Sequence, residues 1–157
     1  MALFSYAPPI DRLIQGLKYA GQLNNARVLA ELMAAKAESV LPRPDVIMPV
    51  PLHPARLRER GYNQSLELAR PIARRLALPL DYRSAKRVRA TLPQTGLSLR
   101  ERARNVRNAF AVTQPVAGLR IALVDDVMTT GHTVNALALC LRKAGASQVD
   151  VWVTARA

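Results

Sequence analysis

Ile121-Ala122-Leu123-Val124-Asp125-Asp126-Val127-Met128-Thr129-Thr130-Gly131-His132-Thr133 is the stretch on which the fold turns. Four apolar residues, Ile121 to Val124, run into two adjacent carboxylates and then into short polar residues around a glycine. An apolar run with no polar side suits a strand covered on both faces, as in a parallel sheet between layers of helices. Ligands of such sheets lie beyond the carboxyl ends of the strands, which puts Asp125 and Asp126 at the mouth of a site. Behind them, Thr129 to Thr133 offer hydroxyls and successive backbone N–H groups that can converge on one anion. Val134, Leu137, Ala138 and Leu141 then have the spacing of one buried helix face, which stops near Gly145. The amino end of that helix adds N–H donors and the positive end of a dipole, so a phosphate belongs there.

Two carboxylates beside a phosphate cradle would repel a bare phosphate. They fit if they accept hydrogen bonds from hydroxyls of the same ligand, or hold a divalent cation that offsets their charge. A sugar phosphate satisfies both conditions. The thirteen residues resemble, position by position, the motif by which type I phosphoribosyltransferases bind phosphoribosyl pyrophosphate. The resemblance implies that Asp125 and Asp126 take the ribose hydroxyls and reach Mg²⁺ indirectly, through those hydroxyls or water. It also implies that Val127 and Met128 belong to the binding segment and that Thr129, Thr130, Gly131, His132 and Thr133 take the 5′-phosphate. The alternative is a dinucleotide-fold strand and turn with no ligand. Superfamily members that act on hypoxanthine or guanine carry an Asp where this chain has Thr129, so the motif resembles the orotate-type pattern and a 6-oxopurine acceptor is disfavoured.

Asp45 to Ser65 repeats the design with other side chains. An apolar run from Val46 to Val50 ends among Pro49, Pro51 and Pro54, which restrict the backbone and invite an unusual peptide geometry. His53, Arg56, Arg58 and Arg60 follow; arginine forks suit phosphate or pyrophosphate, and His53 can donate from either ring nitrogen. The superfamily places its pyrophosphate loop after the first core strand, and Pro51, Leu52, His53 and Arg56 occupy that place, with Asn63 and Gln64 as further binding candidates. For each arginine a solvated helix start is an equally simple reading, and Tyr62-Asn63-Gln64 also reads as a turn and helix N-cap.

The words PVPLHPARLRERGYNQS and LPQTGLSLRERARNVRNAF resemble the ComF family of competence-associated, amidophosphoribosyltransferase-like proteins, and the similarity runs from Ile10 to Val153. The fold it implies is α/β of the type I phosphoribosyltransferase kind, mostly parallel, with helices on both faces. Residues 1–157 are expected as one domain, with a small hood over about 1–20 and a core over 45–157. Arg87 to Ser98 has no clean period and reads as a loop. In the superfamily a mobile loop here closes over the pyrophosphate, which makes Arg87, Arg89 and Gln94 candidates for closure beside a plain surface-loop reading. Together with His53, Arg56, Asp125 and Asp126, Arg87 and Gln94 complete the expected catalytic set. Many ComF relatives carry a four-cysteine zinc ribbon; the one cysteine here, Cys140, cannot build it and reads as core.

Helices are expected near Ile10 to Tyr19 and Asn25 to Leu41, with Pro71 kinking or breaking a third helical pattern. Strands are expected near Val46 to Val50, Ala77 to Tyr82, Ala109 to Val112, Arg120 to Val124 and Gln148 to Thr154, alternating with helices as a parallel sheet does. No apolar run approaches the roughly 20 residues that cross a bilayer, and no signal-peptide order stands at the amino end. One cysteine and no internal disulfide make the cytoplasm the simplest location.

The formal net charge is +12, and residues 56–107 hold 14 of the 23 basic residues but 4 of the 11 acidic ones. A pyrophosphate needs only a few of these cations, so single-stranded DNA is a candidate partner, through Arg58, Arg60, Arg100, Arg102 and Arg104. Aromatic residues make up only 4% of the chain, which favours backbone contact over base stacking. A basic face with no partner is the alternative. Three functions follow: Mg²⁺-assisted 5-phosphoribosyl transfer to an unidentified acceptor, a ligand sensor without turnover, and a DNA-handling role in natural transformation. Competence-machinery proteins and a second copy of the chain are the partners the resemblance admits.

Overall fold

The computed structural model describes residues 1–39, 42–90 and 108–157. Its elements run β1 (Ala2–Ser5), α1 (Ile10–Tyr19), α2 (Leu23–Ala37), β2 (Val46–Pro49), α3 (Pro54–Arg60), α4 (Gln64–Arg75), β3 (Ala85–Arg87), β4 (Phe110–Val112), β5 (Arg120–Met128), α5 (His132–Lys143) and β6 (Gln148–Arg156). The main sheet has the order β1-β6-β5-β2, and each of its pairs is parallel. This is the α/β architecture the alternation of apolar runs and helical patterns implies.

Two apolar layers cover the sheet because successive side chains of a strand leave on opposite faces. Ala122 and Val124 of β5 join Ile47 and Trp152 in a cluster closed by α1, α2 and α4. Ile121 and Leu123 join Val46 and Met48 in a second cluster closed by α5 and by Phe110 of β4. Within α1, Ile14 and Leu17 are fully buried at helical spacing, which lays this helix on the first layer.

Several expectations change. β5 does not end at Val124 but continues to Met128, because β6 runs beside it for its whole length and pairs Asp125 with Val153 and Met128 with Arg156. β1 was not foreseen; it pairs parallel with β6, from the opposite end of the chain. The strand expected over 77–82 reduces to one bridge between Leu80 and Ile47. Pro79 has no N–H to give a ladder, and Ala77 stands at φ +49°. The segment 109–112 is extended but pairs antiparallel with β3 in a separate two-stranded sheet. α2 ends at Ala37 rather than Leu41, with Glu38 as C-cap and the Ser39 hydroxyl donating to the Lys36 carbonyl. Pro71 does not break α4, which runs through it to Arg75. The cis peptide among the described residues is Pro8–Pro9, not one in the proline turn after β2.

Candidate functional site

Register builds the site. β2 lies beside β5 with Pro49 opposite Val124, and the Val50 N–H donates to the Val124 carbonyl. At the other end of the pair, Asp45 accepts from the Arg120 backbone N–H at 2.8 Å and from its guanidinium at 2.7 Å, which pins the two strands in phase. The turn after β2 therefore emerges next to Asp125 and Asp126.

Asp126 continues the face of Ala122 and Val124 and is 4% exposed. Its Oδ1 accepts from the Val127 N–H at 2.7 Å, and Lys18 Nζ of α1 stands 3.1 Å from its Oδ2. Asp125 Oδ1 accepts from the Ser65 hydroxyl at 2.8 Å and from the Asp126 N–H at 3.0 Å. Burial, and then the neighbouring Asp126 charge, push the Asp125 carboxyl up to about 7, against the opposing pull of Ser65 and Lys18. Two adjacent carboxylates, one buried and one partly exposed, thus resist carrying two charges unless cations stand by.

After Met128 the chain turns through Thr129 and Thr130, both exposed, into Gly131 at φ +74°. That left-handed conformation is cheap only for glycine, and it opens α5 at His132. His132 Nδ1 lies 2.6 Å from the Thr130 hydroxyl, so the turn is tied to the first residue of the helix. Thr133 follows within the first turn of α5, where helix N–H groups have no helical acceptor.

On the β2 side, Pro51 and Leu52 lead to His53, which caps α3: its Nδ1 accepts the Ala55 N–H at 3.2 Å, with Pro54 as the first helical residue. The expectation that either ring nitrogen could donate narrows to Nε2. Arg56 and Arg58 are exposed on α3. Arg60 is partly buried, donates to Gln64 Oε1 at 2.6 Å and places its guanidinium 5.8 Å from the exposed Tyr19 ring. Asn63 caps α4 by accepting from the Ser65 N–H and donates to the Val50 carbonyl, while Gln64 is 6% exposed. Their side chains hold the turn, as the N-cap reading has it, and Asn63 also lines the cavity beside it.

Arg87 ends β3 instead of opening a loop, half-buried, with its guanidinium 5.6 Å from the Phe110 ring. Burial draws its pKa down, Asp125 opposes that and Arg56 adds to it, so Arg87 stands within the field of both. A cavity of about 620 Å³ adjoins the proline turn, walled by Leu52, His53, Leu57, Tyr82 and Arg87 among others. Arg89 is exposed. Gln94, Arg100, Arg102 and Arg104 lie outside the described residues. Cys140 is half-buried, donates to the Phe110 carbonyl at 3.6 Å and packs on the second apolar layer.

The structure therefore gathers Asp125, Asp126, the Thr129 to Thr133 turn, His53, Arg56 and Arg87 around the carboxyl ends of β2 and β5. Lys18 and Ser65 were not singled out from sequence. Lys18 has no local mark beyond its place at the end of an amphipathic helix, and Ser65 lies next to a capping asparagine, where a serine has an ordinary explanation.

The family model described as the phosphoribosyl transferase domain matches residues 62–157. The DNA utilization protein YhgH of Escherichia coli K12 is 41% identical over 156 residues, which cover 96% of this chain and 69% of that protein. Competence protein F of Haemophilus influenzae is 40% identical, over 97% of this chain and 70% of its own length. Among solved structures, the glutamine phosphoribosylpyrophosphate amidotransferase of B. subtilis superimposes with a TM-score of 0.56 at 22% identity, over 83% of this chain but 27% of that larger one. An adenine phosphoribosyltransferase from Thermoanaerobacter pseudethanolicus gives 0.54 at 17% identity, over 88% of this chain and 83% of that one. At these identities the solved structures speak for the fold alone. The chain belongs to the phosphoribosyl transferase domain family and, within it, to the ComF group that contains competence protein F.

Proposed function

We propose that the chain binds phosphoribosyl pyrophosphate with Mg²⁺ across the carboxyl ends of β2 and β5 and transfers its 5-phosphoribosyl group to an acceptor. One observation carries this reading: an adjacent carboxylate pair, Asp126 buried and Asp125 partly exposed, beside a glycine-opened helix amino end, one strand away from an arginine-flanked turn. A sugar with two neighbouring hydroxyls and a phosphate on either side matches that order of groups. Asp125 and Asp126 accept from the ribose hydroxyls, and the Thr129 to Thr133 turn takes the 5′-phosphate. His53 Nε2, Arg56 and Arg87 face the pyrophosphate. In the transfer, the acceptor's lone pair forms the new bond to C1 while the C1–O bond breaks and its electron pair leaves with pyrophosphate. Cations aimed at the departing group stabilise the charge that builds there.

Among the described residues no three His, Cys, Asp or Glu side chains gather into a metal cage. A divalent ion fits as a companion of the diphosphate, reached by Asp125 and Asp126 through hydroxyls or water, where it would neutralise charge on the leaving group. Calorimetric titration with phosphoribosyl pyrophosphate and Mg²⁺ should give binding that Asp125→Ala combined with Asp126→Ala weakens by at least about 100-fold. Unchanged affinity in the double variant would remove the site assignment. Pyrophosphate release across a panel of bases, amines and ammonia then tests turnover, and binding without release from any of them would leave a ligand sensor.

A second reading is favoured by the charge of residues 56–107 and by relatives named for DNA utilization and competence. Here exposed arginines such as Arg56 and Arg58 contact the phosphates of single-stranded DNA. If so, affinity for an oligonucleotide falls steeply and log-linearly as salt rises. An interaction that is absent, or indifferent to salt, sinks this reading.

A further inference from the structure

A phosphate next to two carboxylates needs positive charge close by, and a divalent cation is the obvious source. The fold holds another. Lys18 Nζ stands 3.1 Å from Asp126 Oδ2, with the lysine side chain 21% exposed and that of the aspartate 5%. The residues on either side of Lys18 fasten this end of α1 to the same region. Leu17 is fully buried and its carbonyl accepts from the Tyr62 hydroxyl, at the turn that leads into α4. The Tyr19 ring receives Arg60 of α3 at 5.8 Å. Three consecutive residues thus tie α1 to the β2 side of the site and to the acidic pair, so the ammonium is held where it is rather than straying on a long stem.

We propose that Lys18 is a positioning residue of the ribose half of the site: it holds the Asp126 carboxylate in place and supplies, from the protein, the charge that lets a phosphate sit beside the acidic pair without a metal ion. This rests on the proposed reading of Asp125 to Thr133. The metal requirement then belongs to the diphosphate, and a ligand with ribose and one phosphate binds without Mg²⁺. The same ammonium also draws the Asp125 carboxyl down, so one lysine serves both acids.

The experiment is calorimetric titration of the full chain with ribose 5-phosphate, in EDTA and in Mg²⁺, for the unmodified protein, Lys18→Met and Lys18→Arg. A parallel arm uses phosphoribosyl pyrophosphate with Mg²⁺, and thermal unfolding checks that each variant is folded. The unmodified protein should bind ribose 5-phosphate equally well in both buffers. Lys18→Met should bind at least about tenfold more weakly in EDTA and recover part of that loss in Mg²⁺, while Lys18→Arg stays within about threefold of the unmodified protein. A merely structural lysine would not create a metal dependence. The proposal is overturned if the unmodified protein needs Mg²⁺ for ribose 5-phosphate, if Lys18→Met binds normally in EDTA, or if Met and Arg variants lose affinity alike. Should Lys18→Met fail to fold, the metal dependence of the unmodified protein still decides. If neither ligand binds under any condition, the proposed function falls first; if phosphoribosyl pyrophosphate binds and the lysine arms disagree, only the role of Lys18 falls.

Discussion

Asp125→Asn is expected to make the protein more stable near pH 8 while it loses its ligand. The asparagine keeps an Oδ1 acceptor for the Ser65 hydroxyl and the Asp126 N–H, so the local hydrogen bonds survive. What disappears is a partly buried charge next to another of the same sign. The direction with pH follows from linkage. The folded carboxyl titrates near 7 against 3.8 unfolded, so the folded state holds its proton more tightly. Its contribution to stability is fully present below the unfolded value and is lost as pH rises through about 7. The variant lacks that loss, so its advantage should be small near about pH 4 and grow to on the order of 1–3 kcal/mol near about pH 8. The lost attraction to Lys18 trims the gain. Thermal unfolding at several pH values checks this, and a pH-independent difference, or a variant less stable at about pH 8, would contradict it. On the proposed function the ribose hydroxyls need two acceptors of full charge, so affinity for phosphoribosyl pyrophosphate should drop roughly 10- to 100-fold in the same variant. A residue whose removal stabilises the empty protein and disables the site is one kept for its chemistry.

Trp152→Ala carries the largest expected loss of stability. Trp152 is 2% exposed, stands opposite Val124 in the register of β5 and β6, and packs in the cluster closed by α1, α2 and α4. Truncation removes an indole from the centre of that layer and leaves a cavity that the sheet cannot close, because β6 is held by β1 on one side and β5 on the other. The cost is about 3–5 kcal/mol, a large share of the 5–15 kcal/mol typical of a folded domain. Urea unfolding followed by circular dichroism measures it, since Trp152 is the only tryptophan and its fluorescence goes with it. A loss under about 1 kcal/mol would mean that the layer repacks, contrary to the close packing expected of an interior.

The elements legible in the sequence are those whose cause is local. Ile121 to Val124 read as a buried strand because four apolar residues without a polar partner have few other uses, and α5 read as a helix from the spacing of Val134, Leu137 and Leu141. Gly131 belonged to a turn by its chemistry, and it stands at positive φ. The readings that moved depended on distant residues. Whether 109–112 joins the main sheet depends on what it pairs with, and β3 is that partner. β1 is too short to announce itself and exists because the edge of β6 receives it. Asn63 and Gln64 looked equally fit for a ligand or a cap, and the Val50 carbonyl and Arg60 that they meet come from elsewhere in the fold.

The sequence by itself determined the order of strand, acid pair, threonine-glycine turn and helix, because each step is dictated by side chains within a few residues of one another. It likewise carried the concentration of basic charge and the likeness to the ComF group. Only the tertiary structure decided how the acid pair is balanced: Lys18 reaches Asp126 from the first helix and acts on Asp125 as well. Charge compensation between buried groups acts through space, and no spacing along the chain records which distant cation the packing of helices and strands will bring within about 3 Å of a carboxylate.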